Sequence, residues 1–170
     1  MRANIFDLSG RAALVTGGGR GLGKAMARGF AQAGADVFLA SRTRGELEAA
    51  TAEIGDGLDV KVGWMEVDMT NRSQVDELAQ EAVAQLGKID ILINNAGTNI
   101  PESITDITDE SWDQMLELNL SGCMRLMRAL IPAMKERGWG RVVNISSILG
   151  LAGKETRNAY CATKSALIGL

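Results

Sequence analysis

Histidine is absent from the 170 residues. Its absence excludes a Ser-His-Asp hydrolase and any His-ligated zinc or iron centre, so proton chemistry falls to Tyr, Lys, Cys or carboxylates. The two cysteines, Cys123 and Cys161, lie far apart and form no CxxC pair; we read them as buried free thiols, with no disulfide framework and no metal site. Long apolar runs are missing too: none approaches the roughly 18 residues of a membrane span. The opening Met1-Arg2-Ala3-Asn4 lacks the apolar stretch of a secretory signal, and we expect a cytoplasmic protein. A net charge of −3 offers no basic face, so neither nucleic acid nor an anionic membrane is an expected partner, and a small molecule is. Linkers rich in Pro, Gly or Ser, repeats and low-complexity segments are lacking, so residues 1–170 read as a single domain.

What is present suits a packed core, with 46% hydrophobic and 23% charged residues. Short β-branched runs at 12–16, 37–40, 60–67, 89–93 and 142–145 predict five strands. Between them, 22–33, 46–54, 74–86 and 111–135 repeat apolar residues at three- and four-residue intervals and predict four helices. Local signals agree: Thr43 with Glu46 reads as a capping box, Asn71 or Thr70 can cap the third helix and Thr108 the fourth, and Gly34, Gly55 and Gly87 follow helix ends. Alternating helices and doubly apolar strands mean an α/β fold, a doubly wound parallel sheet covered on both faces. A further helical pattern begins near Asn158 and reaches Leu170 without a C-terminal cap, so the domain reads as C-terminally incomplete, truncated after the fifth strand and the start of this helix.

After the first strand comes Thr16-Gly17-Gly18-Gly19-Arg20-Gly21-Leu22-Gly23. Glycines there permit positive φ, let backbone amides approach phosphate oxygens, and open a helix whose N-terminus favours anions. The spacing is GxxxGxG at Gly17, Gly21 and Gly23 rather than GxGxxG, because Lys24 occupies the sixth position from Gly19. A phosphate-binding P-loop is disfavoured because Ala25 stands where a magnesium-holding Ser or Thr is needed. A turn serving only close helix packing is the other reading. The second strand ends at Ser41-Arg42 and lacks the acid that grips a ribose 2′-hydroxyl in NAD-selective folds. Arg42 with Arg20 could fork around a 2′-phosphate, so NADP(H) is preferred over NAD(H); exposed, solvated arginines are the plainer alternative.

Tyr160 and Lys164 stand four residues apart in the last helical pattern, on one face. A phenol titrating at about 10 is a poor base at neutral pH, and a close cation favours its phenolate. Taken alone, YxxxK occurs by chance on many helices. Ser147, at the end of the fifth strand and 13 residues before Tyr160, could hold a substrate carbonyl beside the phenol, with Ser146 the competing candidate. Asn119 falls on the stripe of Trp112, Met115, Leu116, Cys123, Leu126, Leu130 and Met134, where a carboxamide needs a partner. It is either a satisfied core residue or the anchor of a water beside Lys164.

Together, Thr16-Gly17-xxx-Gly21-x-Gly23, Asn94-Asn95-Ala96-Gly97, Asn119, Ser147 and Tyr160-xxx-Lys164 resemble the short-chain dehydrogenase/reductase family, from about Leu8 to the chain end. The resemblance implies a Rossmann-type fold and reversible hydride transfer between NADP(H) and an alcohol/carbonyl pair. It implies Tyr160 as acid/base, Ser147 polarising the substrate, Lys164 binding the nicotinamide ribose and supporting the phenolate, and Asn119 holding a relay water. Gly17, Arg20, Gly21, Leu22, Gly23, Arg42, Asp68, Met69, Asn95, Ala96, Gly97 and Ile145 would line the cofactor groove with Tyr160 and Lys164, Asp68 meeting the adenine. Asn94 would support strand packing instead. Ala40-Ser41-Arg42 and Asn95-Ala96-Gly97-Thr98-Asn99 look most like gluconate 5-dehydrogenases, with 3-oxoacyl carrier-protein reductases next. The family implies a homodimer or homotetramer for a full-length chain. The missing sixth and seventh strands leave a non-catalytic dinucleotide-binding or interaction fragment as the second function class.

Overall fold

A computed structural model describes residues 5–170; the Met1-Arg2-Ala3-Asn4 reading lies outside them. Five strands, β1 (Ala12–Thr16), β2 (Asp36–Ser41), β3 (Val62–Glu66), β4 (Ile91–Asn94) and β5 (Arg141–Asn144), form one sheet in the order β3-β2-β1-β4-β5. Every pairing is parallel. The intervening helices are α1 (Gly21–Gln32), α2 (Arg44–Gly55), α3 (Arg72–Leu86), α4 (Asp109–Leu116), α5 (Gly122–Glu136) and α6 (Asn158–Gly169).

The core divides as strand alternation requires. Leu14, Phe38 and Leu92 point to one face and pack with Val75 and Leu78 of α3 and Leu126, Leu130 and Met134 of α5. Val15, Leu39 and Ile93 point to the other, against Ala27 and Ala31 of α1 and Leu47, Ala50 and Ile54 of α2. The α/β doubly wound reading holds, with strand ends within two residues or so of expectation. The strand order reverses between β1 and β4, which opens a crevice beyond their carboxyl ends. Among the described residues β5 forms an outer edge, and Val143 on it is 44% exposed.

Caps account for several helix limits. Asn71 accepts from Gln74 N and caps α3, whereas the alternative, Thr70, bonds Asp68 instead. Thr108 accepts from Ser111 N at the start of α4. Gly34 and Gly87 adopt the positive φ of C-terminal turns.

Four expectations need correction. Thr43 stands just before α2 but its hydroxyl caps nothing, and Glu46 turns toward Arg20 rather than back to the chain. Gly55 is the last residue of α2, and Asp56 is its cap. The expected single helix over 111–135 is interrupted by a π-helical turn, Glu117–Ser121. The wider turn rotates α4 relative to α5, so Trp112 leaves the stripe and is 37% exposed while Leu118 enters the core. Cys123 is buried as expected, but Cys161 is only half-buried.

Candidate active site

The glycine turn is shaped by two physical demands. Gly17 and Gly21 occupy the left-handed region, with φ of +64° and +54°. Gly23 answers to space: a Cβ there would stand 2.1 Å from Gly17 O and 2.7 Å from Asn95 Nδ2. The turn is braced from β4. Thr16 Oγ1 accepts from the backbone N–H groups of Asn95 and Ala96, each at 3.0 Å, and donates to Ile93 O. Asn95 Nδ2 donates to Thr16 O at 2.9 Å and Gly17 O at 3.3 Å. The ends of β1 and β4 are thereby tied across the crevice. Asn94 donates from Nδ2 to Asn144 Oδ1 on β5 at 2.8 Å.

Above the turn lies a cleft of about 340 Å³. Gly17, Arg20, Gly21, Leu22, Gly23, Arg42, Met69, Asn95, Ala96 and Gly97 line it, ten of the residues singled out in the sequence. Asp68 does not: its Oδ1 accepts from Thr70 N at 2.9 Å and Thr70 Oγ1 at 2.8 Å, closing a local turn. Ser41, Thr43, Glu46 and Leu118 join the lining without having been anticipated. Glu46 was masked by its apparent role in a capping box; Leu118 by the π-turn that no periodicity announces.

A second group of side chains hangs from α6, the π-turn and the end of β5. Lys164, 4% exposed, donates from Nζ to Ile145 O at 2.6 Å and lies 5.7 Å from the centre of the Tyr160 ring. Ile145 thus meets Lys164 through its carbonyl and is not part of the cleft lining. Asn119, fully buried on the π-turn, accepts at Oδ1 from Thr98 N at 2.8 Å and donates from Nδ2 to Thr98 O at 2.9 Å and Thr163 Oγ1 at 3.1 Å. Its carboxamide has the partners its burial demands. The two serines differ: Ser146 Oγ donates to Lys164 O at 2.7 Å, whereas Ser147 Oγ accepts from Leu149 N and donates to no acceptor among the described residues.

Gly97 joins the two groups. It lines the cleft, and a methyl on it would stand 3.1 Å from Asn119 Oδ1 and 3.5 Å from Lys164 Nζ. Burial pushes the Lys164 ammonium below its ordinary value, with Cys123 acting in the opposite sense. Burial likewise pushes the Cys123 thiol up to about 11, against a lowering pull from Lys164. Cys123 is therefore a protonated, inert thiol at neutral pH.

A parallel sheet with a glycine turn at its switch point, opening on a buried lysine beside a tyrosine, is a Rossmann-type α/β architecture. The family model for short chain dehydrogenases matches residues 11–170, and the chain belongs to that family. It is 40% identical over 165 residues to nodulation protein G of Rhizobium sp. (strain N33), covering 97% of this chain and 66% of that one. It is 34% identical over 163 residues to the D-beta-hydroxybutyrate dehydrogenase of Cupriavidus necator, covering 95% and 62%. Over 163 residues it is 33% identical to the 3-oxoacyl-[acyl-carrier-protein] reductase of Thermotoga maritima, covering 96% and 66%. A crystal structure from Sinorhizobium meliloti 1021, assigned to the short-chain alcohol dehydrogenases, superposes with a TM-score of 0.92 at 34% identity, covering 97% of this chain and 65% of that one. The chain thus spans 62–66% of the length of these relatives.

Proposed function

We propose that the chain is the cofactor-binding and catalytic part of an NADP(H)-dependent oxidoreductase that interconverts an alcohol and a carbonyl compound. One observation carries the reading: at Gly97 the cleft runs directly into Asn119 Oδ1 and Lys164 Nζ. The glycine turn fits a dinucleotide diphosphate, because Gly17, Gly21 and Gly23 line the cleft without side chains and the N-terminus of α1 carries no side-chain cap. Gly17, Gly21, Leu22 and Gly23 would hold the diphosphate, Arg20 and Arg42 the 2′-phosphate, and Met69 the adenine, with Asp68 behind the lining shaping that end through the turn it closes with Thr70. Asn95, Ala96, Gly97, Ile145, Tyr160 and Lys164 would meet the nicotinamide half. When bound, the cofactor supplies or accepts a hydride.

The chain's own residues manage the proton. Tyr160 Oη donates to the carbonyl oxygen during reduction and accepts from the alcohol during oxidation. The Lys164 ammonium is fixed by Ile145 O, 5.7 Å from the centre of the Tyr160 ring, where it would hold the nicotinamide ribose beside the phenol. Ser147 has a hydroxyl proton available for the substrate oxygen, while the proton of Ser146 is committed to α6. Asn119 holds Thr163, and through it the Lys164 turn of α6, against the Thr98 backbone; holding the relay water belongs to the same proposal. A cytoplasmic homodimer or homotetramer of the full-length protein completes the reading; among the described residues no helix is long and apolar enough to cross a membrane.

The test is carbonyl-dependent oxidation of NADPH over a panel of 3-oxoacyl thioesters, acetoacetate and keto-sugar acids, with Tyr160→Phe alongside. We expect turnover to fall by at least about 100-fold in the variant with NADPH binding retained. Turnover undiminished in Tyr160→Phe would refute the acid/base role. A protein that binds dinucleotide but turns over no carbonyl would instead support the non-catalytic module.

A further inference from the structure

Three segments converge at the outer end of the cleft. A methyl at Gly19, in the glycine turn, would stand 3.1 Å both from Ser41 Oγ at the end of β2 and from Glu46 Cβ in the first turn of α2. Arg20, Arg42 and Glu46 all line this end, and Glu46 Oε1 lies 3.7 Å from Arg20 NH1. Arg42 forms no ion pair among the described residues. Because the expected capping box does not form, the Glu46 carboxylate is directed to the cleft rather than to the helix end.

We infer that Glu46 is a specificity-determining residue, whose carboxylate restrains the attraction of Arg20 and Arg42 for a 2′-phosphate and so sets how sharply the cleft separates NADP(H) from NAD(H). This rests on the dinucleotide reading above. The charge arithmetic is direct: the two guanidiniums and one carboxylate leave a single net positive charge to face a phosphate carrying nearly two negative ones. Neutralising Glu46 doubles that positive charge and removes a repulsion. A 2′-hydroxyl feels no such repulsion and can donate a hydrogen bond to the carboxylate. The substitution therefore strengthens the binding of one cofactor without strengthening that of the other. With Arg20 and Glu46 both solvent-facing, the effect is a screened one, roughly three- to tenfold in affinity at low salt.

The experiment compares wild type, Glu46→Gln and Glu46→Ala by titration with NADPH, NADH, adenosine 2′,5′-bisphosphate and AMP, following nicotinamide fluorescence for the dinucleotides and heat for the fragments. Thermal unfolding shows that each variant is folded. We expect NADPH and the bisphosphate to bind roughly three- to tenfold tighter to both variants, with NADH and AMP unchanged or weaker, and the gain to shrink at high salt. An unchanged ratio of NADPH to NADH affinity, or a loss shared by both, overturns the inference while leaving the dinucleotide site in place. If the wild-type protein binds neither dinucleotide, the proposed function and this inference both fall.

Discussion

Two glycines six residues apart on α1 should respond oppositely to the same added methyl group. At Gly23 the new Cβ would lie 2.1 Å from Gly17 O and 2.7 Å from Gly17 C, and backbone atoms cannot swing aside as a flexible side-chain tip does. The turn would have to open, and in opening would weaken the Asn95 Nδ2 bond to Gly17 O. Overpacking of this kind, with one weakened hydrogen bond, costs about 2–4 kcal/mol. At Gly29 a Cβ meets nothing within 4 Å, so Gly29→Ala exchanges a flexible residue for the best helix former and gains about 0.5–1 kcal/mol. Urea unfolding reads both, the midpoints moving apart while the slope stays constant. NADPH titration adds the functional arm, with affinity reduced by at least about tenfold in Gly23→Ala and unchanged in Gly29→Ala. A Gly23→Ala protein matching wild type in stability and NADPH affinity, or a Gly29→Ala protein clearly less stable than wild type, would refute this account of the turn.

Asn119→Leu keeps the volume but strands the N–H and C=O of Thr98 and removes the donor to Thr163 Oγ1, which still bonds Tyr160 O; we expect a loss of about 2–4 kcal/mol in thermal unfolding, and an unchanged midpoint would count against the buried network. Asn158 Nδ2 donates to Glu102 O, and Glu102 N donates to Thr156 O, tying the loop after β4 to the start of α6. Asn158→Ala should therefore lower carbonyl turnover several-fold while leaving NADPH affinity alone, and equal kcat would show that the tie does not position Tyr160. For pH, Lys164 is held below its ordinary 10.5, so the folded state binds fewer protons beneath that value and the contribution of this group to stability rises with pH. Cys123, raised from 9.0 to about 11, has the opposite sign: its contribution is full below pH 9.0 and is lost as pH climbs toward 11. Cys123→Ala removes the falling component, so its unfolding free energy relative to wild type should increase between pH 9.0 and 10.5 in denaturant titrations; a constant difference would show the thiol is not shifted.

The sheet could be read because its strands are apolar on both faces, and that signal depends on local composition alone. The glycine spacing was equally legible, since Gly17 and Gly21 are needed by backbone angles and Gly23 by an approach that no other residue permits. The π-turn at Glu117–Ser121 was not. An extra residue in one turn leaves the three- and four-residue intervals nearly intact, so 111–135 still looked like one helix and Trp112 still looked internal. The burial of Asn119 amid apolar neighbours was the one trace of it, a polar residue where packing alone would choose leucine. Glu46 misled for a different reason: a Ser/Thr with Glu three residues later is a local pattern, and its use was decided by Arg20 from another βα unit. The pairing of Lys164 Nζ with Ile145 O likewise needs β5 and α6 side by side, which no spacing along the chain encodes.

Thr16 ties the glycine turn to the Asn95-Ala96 segment with a single hydroxyl, accepting two backbone protons and donating its own. Every valence of that oxygen is used inside the protein, so the floor beneath a diphosphate has no slack to take up and no rearrangement to make when a ligand lands. Adaptation is left to the rim, where Arg20, Arg42 and Glu46 reach in from solvent. Cofactor preference can then be altered by exchanging rim side chains one at a time, with the floor left as it stands.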